Sequence, residues 1–222
     1  MMFTSMLMPL PTAASSTTRI APLRREHLRD VGAVFAASHA EYPSFRFLFP
    51  APRVRAIALR ALMTAVAGDA IAFGTVYGAL DEGRLLGVAI WLPSDGYPWS
   101  FTRKLSAAPA FLSILQAAPR SFLALMQLGT NAERTHPAEP HWYLEAMGVR
   151  PEAQGRGLGT RLLQPALARA DADRLPCYLE TAREENLAFY ARAGFEVVHN
   201  ALPLVPGGPT HWGMRRPALG GA

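Results

Sequence analysis

The sequence predicts a mixed α/β fold, a central sheet with helices on both faces. Three observations carry this expectation. Strand-like and helix-like segments alternate along the chain, the turn Asp81-Glu82-Gly83 joins two strands as a hairpin, and an apolar strand, a glycine-rich turn and an amphipathic helix follow one another from His141 to Ala170. Elements in that order bury their apolar faces by layering helices on a sheet.

The elements follow in order. Arg19-Ile20-Ala21-Pro22-Leu23 reads as a first strand, and a helix near 25–38 turns Leu28, Val31, Val34 and Phe35 inward at helical spacing. A second helix covers about 51–67. Strands near 73–80 and 84–92 come next, joined across Asp81-Glu82-Gly83. Residues 102–128 read as helix in at least two pieces, because Pro109 and Pro119 each interrupt the backbone hydrogen bonds. Asn131 to Pro140, polar with two prolines, reads as a loop, and the fourth strand follows over about 141–149. Leu158, Leu162, Leu163, Ala166, Leu167 and Ala170 form the apolar stripe of a helix in which Pro165 should produce a kink. Cys177-Tyr178-Leu179-Glu180-Thr181 is a fifth strand, Asn186 to Ala193 a helix ended by Gly194, and Phe195-Glu196-Val197-Val198 a further strand.

The most informative segment is Gln154-Gly155-Arg156-Gly157-Leu158-Gly159-Thr160. Glycines let the backbone turn tightly and approach an anion, and the following helix adds unpaired N–H groups and the positive end of its dipole. Arg156 adds a charge able to fork onto a phosphate. The spacing fits neither a dinucleotide loop, G-x-G-x-x-G in the first strand-to-helix turn, nor a nucleoside triphosphate loop, which needs lysine before Thr160.

That loop resembles the Q/R-x-x-G-x-G/A loop of the GNAT superfamily of N-acetyltransferases, and Asn186-Leu187-Ala188-Phe189-Tyr190-Ala191-Arg192-Ala193-Gly194-Phe195 resembles its N-x-x-F-Y-x-R-x-G-F segment. From Trp142 to Pro217 the order of motifs is similar to the puromycin N-acetyltransferase group; Glu41-Tyr42-Pro43 and Gly87 to Trp91 match more loosely. The resemblance implies a mostly antiparallel central sheet splayed between strands four and five. It further implies acetyl-coenzyme A as co-substrate, its pyrophosphate held by Gln154, Gly155, Arg156, Gly157, Leu158, Gly159 and Thr160, and its pantetheine arm lying along Met147, Gly148 and Val149. Gly148 would permit a bulge there.

The reaction that the resemblance implies is attack of a neutral amine on a thioester. An amine is mostly protonated near neutral pH, so a group must accept its proton. Glu180, beside the implied split, is the first candidate and Glu145 the second. Tyr190 is the candidate acid for the leaving thiolate, its phenol having a reference pKa of about 10 against about 8.5 for a thiol. Asn186 bonds the pantetheine or caps the helix; it stands four residues before Tyr190, whereas many superfamily members place that asparagine seven before, where Arg183 lies. Tyr42 and Trp91, with Phe45, Phe47, Trp99 and the region of Met126, are candidates for an apolar acceptor pocket.

Composition narrows the classes. The 222 residues, 50% hydrophobic, suffice for one core, expected over 19–217, with residues 1–18 a disordered tail and 218–222 a second one. The tail lacks a basic start, and no uncharged apolar run reaches bilayer length, since Asp69 interrupts the best candidate. The single Cys177 excludes an internal disulfide and reads as a buried thiol, so a cytoplasmic location is expected. Net charge is +5, but no Lys/Arg run exceeds two residues, so nucleic acid and membrane partners are not expected. The six histidines show no metal-ligand spacing, and no metal is expected. A small-molecule amine is the expected partner of a monomer or homodimer. Three functions compete: acetyl-coenzyme A-dependent N-acetyltransferase, with a protein N-terminus as the alternative acceptor; non-catalytic acyl-coenzyme A sensor; and nucleotide-binding redox domain.

Overall fold

The computed structural model describes residues 18–205 and 207–219, so of the tails expected at 1–18 and 218–222, residues 1–17 and 220–222 lie outside the described residues. Seven strands form one sheet in the order β1-β2-β3-β4-β5-β7-β6: β1 Arg19–Pro22, β2 Val76–Asp81, β3 Arg84–Leu92, β4 Trp142–Val149, β5 Cys177–Thr181, β6 Glu196–Leu202 and β7 His211–Arg216. Every neighbouring pair is antiparallel except β4 and β5. The hairpin turn is two residues, Glu82 at φ 48° and Gly83 at φ 84°, the double positive φ that matches the twist of the flanking strands.

Helices cover both faces. On one, α1 (Leu28–Ser38) and α3 (Pro52–Ala70) pack on Val88, Ile90 and Leu92 of β3, with α2 (Pro43–Leu48) between them in sequence. On the other, α7 (Leu158–Asp173) buries the six predicted stripe residues against Ala89 and Trp91, and α8 (Glu185–Ala191) adds Tyr190. Buried on both sides, β3 is apolar along nearly its whole length. Pro165 sits within α7, which continues as one helix although the Arg161 carbonyl loses its i+4 donor.

The helical region after β3 extends further than expected. α4 (Phe101–Ser106), α5 (Ala108–Ala117) and α6 (Pro119–Thr135) break at the predicted prolines, but α6 runs through Asn131 to Thr135, where the polar sequence predicts a loop. Thr130 and Thr135 return their hydroxyls to carbonyls one turn back, which removes the competition that polar residues offer to a helix. Two elements went unpredicted: α2, whose Pro43 starts it, and β7, which inserts between β5 and β6. Pro52–Phe73 is long and apolar enough to cross a bilayer by length and composition, with a best window of mean hydropathy 1.6, although Arg53, Arg55, Arg60 and Asp69 leave it no uncharged run of that length; here it packs against α1, and Asp69 binds Arg103.

Candidate active site

The sheet parts at its centre. β4 and β5 pair at Trp142/Cys177, Tyr143/Tyr178 and Leu144/Leu179, and pairing ends there. Beyond that point Glu180 and Thr181 stay with β7, while Ala146 to Val149 stay with β3. The register slips between Ile90/Ala146 and Trp91/Leu144, so Glu145 is the extra residue of a β-bulge. The bulge was expected at Gly148; that glycine instead admits the end of α1, where an added Cβ would collide with Ser38 Oγ. Because the bulge shifts the strand's parity, Tyr143 and Ala146 face the α1/α3 side together and Leu144 and Met147 face α7.

The edge of β4 exposed by the split leads directly to the glycine loop. Gly155 (φ 74°) and Gly157 (φ 72°) are left-handed, and an added Cβ at either would meet nothing within 4 Å. The N–H groups of Gly155, Arg156, Gly157, Leu158, Gly159 and Thr160 make no hydrogen bond to other described residues; the first bond of α7 is Arg161 N–H to the Gly157 carbonyl. A run of unbonded amides at a helix N-terminus is suited to an anion. Gln154 holds the loop to the strand through Nε2 to the Val149 carbonyl at 3.0 Å. Arg156 stands at the loop's rim with its guanidinium 4.0 Å from Asp81. Gly159 serves packing: a Cβ there would lie 3.1 Å from the Phe189 ring of α8.

Where β4 and β5 diverge lies a groove of about 160 Å³ whose walls include Glu145, Met147, Glu180, Asn186, Tyr190 and Tyr42. Tyr190 is held there by the end of α8: Phe195 N–H bonds the Tyr190 carbonyl at 3.1 Å and Gly194 N–H the Ala191 carbonyl at 3.0 Å, with Gly194 at φ 87°. Burial raises the Tyr190 phenol above its ordinary pKa, with Tyr42 adding to the effect, so it carries its proton throughout the neutral range.

Glu180 accepts a 2.9 Å hydrogen bond from the Tyr143 hydroxyl, and its second oxygen is buried without a partner. Burial lifts its pKa to about 7, against the lowering effect of that hydroxyl. Glu145 Oε2 is likewise buried and unpartnered, and burial, then the charges of Asp69 and Glu180, lift its pKa to about 8 against the opposing pull of Arg103. A carboxylate with a raised folded pKa binds more protons folded than unfolded, so it stabilises the fold below about pH 4.5 and loses that contribution as pH rises through 8. Melting temperature should therefore fall from pH 6 to pH 9. In Glu145→Gln the fall should be shallower, with a gain on the order of 2 kcal/mol, roughly 4–8 °C, at pH 9 by scanning calorimetry. An unchanged slope would show that Glu145 ionises freely.

The other predicted residues divide. Asn186 lies inside α8 rather than capping it, and its Nδ2 donates to Thr181 Oγ1 at 3.1 Å. Tyr42 forms part of the groove, its hydroxyl accepting from Ala182 N–H at 2.7 Å and lying 3.3 Å from Thr181 Oγ1. Trp91, expected at the acceptor pocket, is instead fully buried beneath α7 among Leu158, Leu162 and Ala166, and forms no wall of the groove. Phe47 is also outside, exposed on α2. Phe45, Trp99 and Met126 do line a larger apolar chamber of about 700 Å³ that adjoins the groove at Tyr143, Glu145 and Ala146. Sequence reasoning missed Tyr143 and Thr181, whose signal lay in strand pairing that brings Tyr143 beside Tyr178 and leaves Thr181 at the sheet's parting. Cys177 is buried as expected, and no cluster of metal-ligating side chains exists among the described residues.

A mixed sheet parted at its centre beside an anion cradle defines an acyltransferase-type fold. The chain belongs to the acetyltransferase (GNAT) family, whose model matches residues 36–195. The structure resembles that of a histone acetyltransferase HPA2 and related acetyltransferase from Corynebacterium glutamicum, with TM-score 0.68 and 24% identity over 92% of this chain and 98% of that one. A paiA N-acetyltransferase from Thermoplasma acidophilum, solved with coenzyme A, has TM-score 0.55 and 14% identity over 90% and 99%. A 5-NmdU N-acetyltransferase of Pseudomonas phage PaMx11 is 38% identical over 63 residues, 28% of this chain and 45% of its own. The chain spans less than half the length of the curated relatives it matches, 27% and 45%.

Proposed function

We infer that the protein is an N-acetyltransferase that moves an acetyl group from acetyl-coenzyme A to a primary amine of a small molecule, by direct attack in a ternary complex. The observation that carries this is the continuity of the unbonded amides from Gly155 to Thr160, the free edge of β4 and a groove holding Glu180 and Tyr190. Those residues fit a polyanionic thioester carrier: the loop offers N–H donors and no Cβ at its left-handed glycines, and the strand edge offers amide pairing to an amide-bearing arm. Acetyl-coenzyme A supplies the activated acyl group when bound.

Met147, Gly148 and Val149 provide the pairing edge, and Gln154 fixes the loop against it. Glu180 takes a proton from the incoming ammonium, leaving the nitrogen lone pair free to form the new C–N bond. Tyr190 donates its proton to the departing sulfur as the C–S bond breaks, and the second proton that the acylated nitrogen must lose restores the phenol, so that a neutral amide and a thiol leave and Glu180 passes its proton to solvent. Glu145 assists on the opposite side of the groove. Asn186 holds Thr181 and so the end of β5. The order of motifs around Glu180, Asn186 to Tyr190 and His211 to Pro217 supports membership of the puromycin N-acetyltransferase-like group. The single buried Cys177 supports a reducing, cytoplasmic location.

The test is thiol release from acetyl-coenzyme A across a broad amine panel that includes puromycin. Turnover should rise with pH through about 7, as Glu180 becomes able to accept a proton, and Glu180→Gln should lower kcat/KM about 10²-fold and remove that limb. Binding of acetyl-coenzyme A without turnover of any amine would favour a sensor, and binding of NAD without acetyl-coenzyme A a redox domain.

A further inference from the structure

The chamber beside the groove is built by the helices between β3 and β4. Its walls come from α3 (Met63, Val66), α5 (Phe111) and α6 (Leu125, Leu128), with Trp99 before α4. At about 700 Å³ it holds a molecule of drug size. The α4 side is anchored, not loose: Arg103 binds Asp69 of α3 through Nε at 2.7 Å and its guanidinium lies over the rings of Phe73 and Trp99.

Charge decides what such a chamber takes. The charged side chains lining it are Lys104, Glu133 and Glu145, and Lys104 and Glu133 pair with each other at 2.7 Å. That leaves Glu145, at the throat shared with the groove, with a buried oxygen lacking a partner. A single cationic head at the throat would pair the Glu145 oxygen and an uncharged body behind it suits the apolar walls, with Trp99 Nε1, a buried donor without a partner, the further polar atom of the lining. A second ammonium in the chamber would be desolvated among Phe, Leu and Met side chains with no free carboxylate.

Resting on the acetyltransferase reading above, we propose that the acceptor is a lipophilic monoamine, its nitrogen at Glu145 and Glu180 and its apolar body in the chamber between α3 and α6, and that polyamines are excluded. The amine nitrogen is thereby placed where β4 and β5 part, so the chamber selects the acceptor and the groove performs the transfer.

The experiment uses n-alkylamines from ethyl to decyl, with spermidine and agmatine, as acceptors for acetyl-coenzyme A. Burial of each methylene should raise kcat/KM about fourfold until the chamber is filled, and decylamine should exceed spermidine at least 100-fold. Gly129→Trp, at a chamber position where an added Cβ meets nothing within 4 Å, should raise KM for decylamine about tenfold and leave ethylamine unchanged. Met126→Glu, on the partly exposed wall, should weaken decylamine and improve spermidine, because it supplies the missing second carboxylate. A flat alkyl series, or spermidine as the better substrate of the unaltered protein, overturns the proposal. So does acceleration by decanoyl-coenzyme A with ethylamine, which would give the chamber to the acyl chain. Calorimetric binding of decylamine and spermidine, read without turnover, keeps the two readings apart: absence of thiol release with every amine defeats acetyl transfer, while preference for spermidine in binding defeats the chamber's assignment.

Discussion

Tyr190→Phe should lower kcat for acetyl transfer by 10²–10³-fold while leaving the dissociation constant of acetyl-coenzyme A within about twofold, the range expected when a general acid is removed without disturbing binding. The separation is expected because the change deletes one oxygen and no packing. The ring lies 5.0 Å from Phe189 and 5.9 Å from Phe195, centroid to centroid, and phenylalanine keeps both contacts. The backbone that holds it is likewise untouched, since the bonds from Gly194 and Phe195 go to main-chain carbonyls. Burial raises the phenol's pKa, so the proton to be donated is present at every working pH. Stopped-flow thiol release and calorimetry on the same preparation check both halves. A variant that turns over within a few-fold of the parent would show that solvent protonates the sulfur.

Gly157→Val should weaken acetyl-coenzyme A binding 10–100-fold by calorimetry and lower kcat less than it raises KM. Gly157, at φ 72°, is the left-handed residue that precedes α7, and a β-branched residue is strongly disfavoured there, at a strain of about 1–3 kcal/mol. Since an added Cβ meets no protein atom within 4 Å, the damage falls on the direction of the loop's N–H groups and on the space an anion would occupy. Gly159 gives the contrast. Its substitution presses on Phe189 instead, so Gly159→Val should lower melting temperature as well as affinity. Unchanged affinity in Gly157→Val would remove the loop from the binding site.

How far the site could be read in advance depended on the range of the forces involved. The glycine loop, the α7 stripe and the Gly194 cap are local, set by φ preference and by spacing of three or four residues, and each stands where its residues predicted. Trp91 shows the limit: a tryptophan in an apolar strand buried on both sides carries no sign of which layer it faces, and it went to the α7 side. Asn131 to Thr135 predicts a loop because polar residues favour turns, whereas in the fold the segment is helix and Asn131 Nδ2 donates to the distant Leu204 carbonyl. The acceptor side was legible in part: Tyr42 lines the groove and Phe45, Trp99 and Met126 come to one chamber from segments far apart, while Trp91 and Phe47 lie outside both.

By itself the chain's order of residues determined an α/β layering, an anion-binding turn ahead of a helix, and a tyrosine borne on a capped helix, because each follows from backbone preference within a few positions. The opening between strands four and five was implied by the motifs' resemblance to the family; only tertiary structure decided that Glu145 rather than Gly148 is the bulged residue and that two carboxylates lose their solvent beside it. Those outcomes depend on pairing between strands more than thirty residues apart and on helices closing over them, and desolvation of a side chain is a property of everything packed around it.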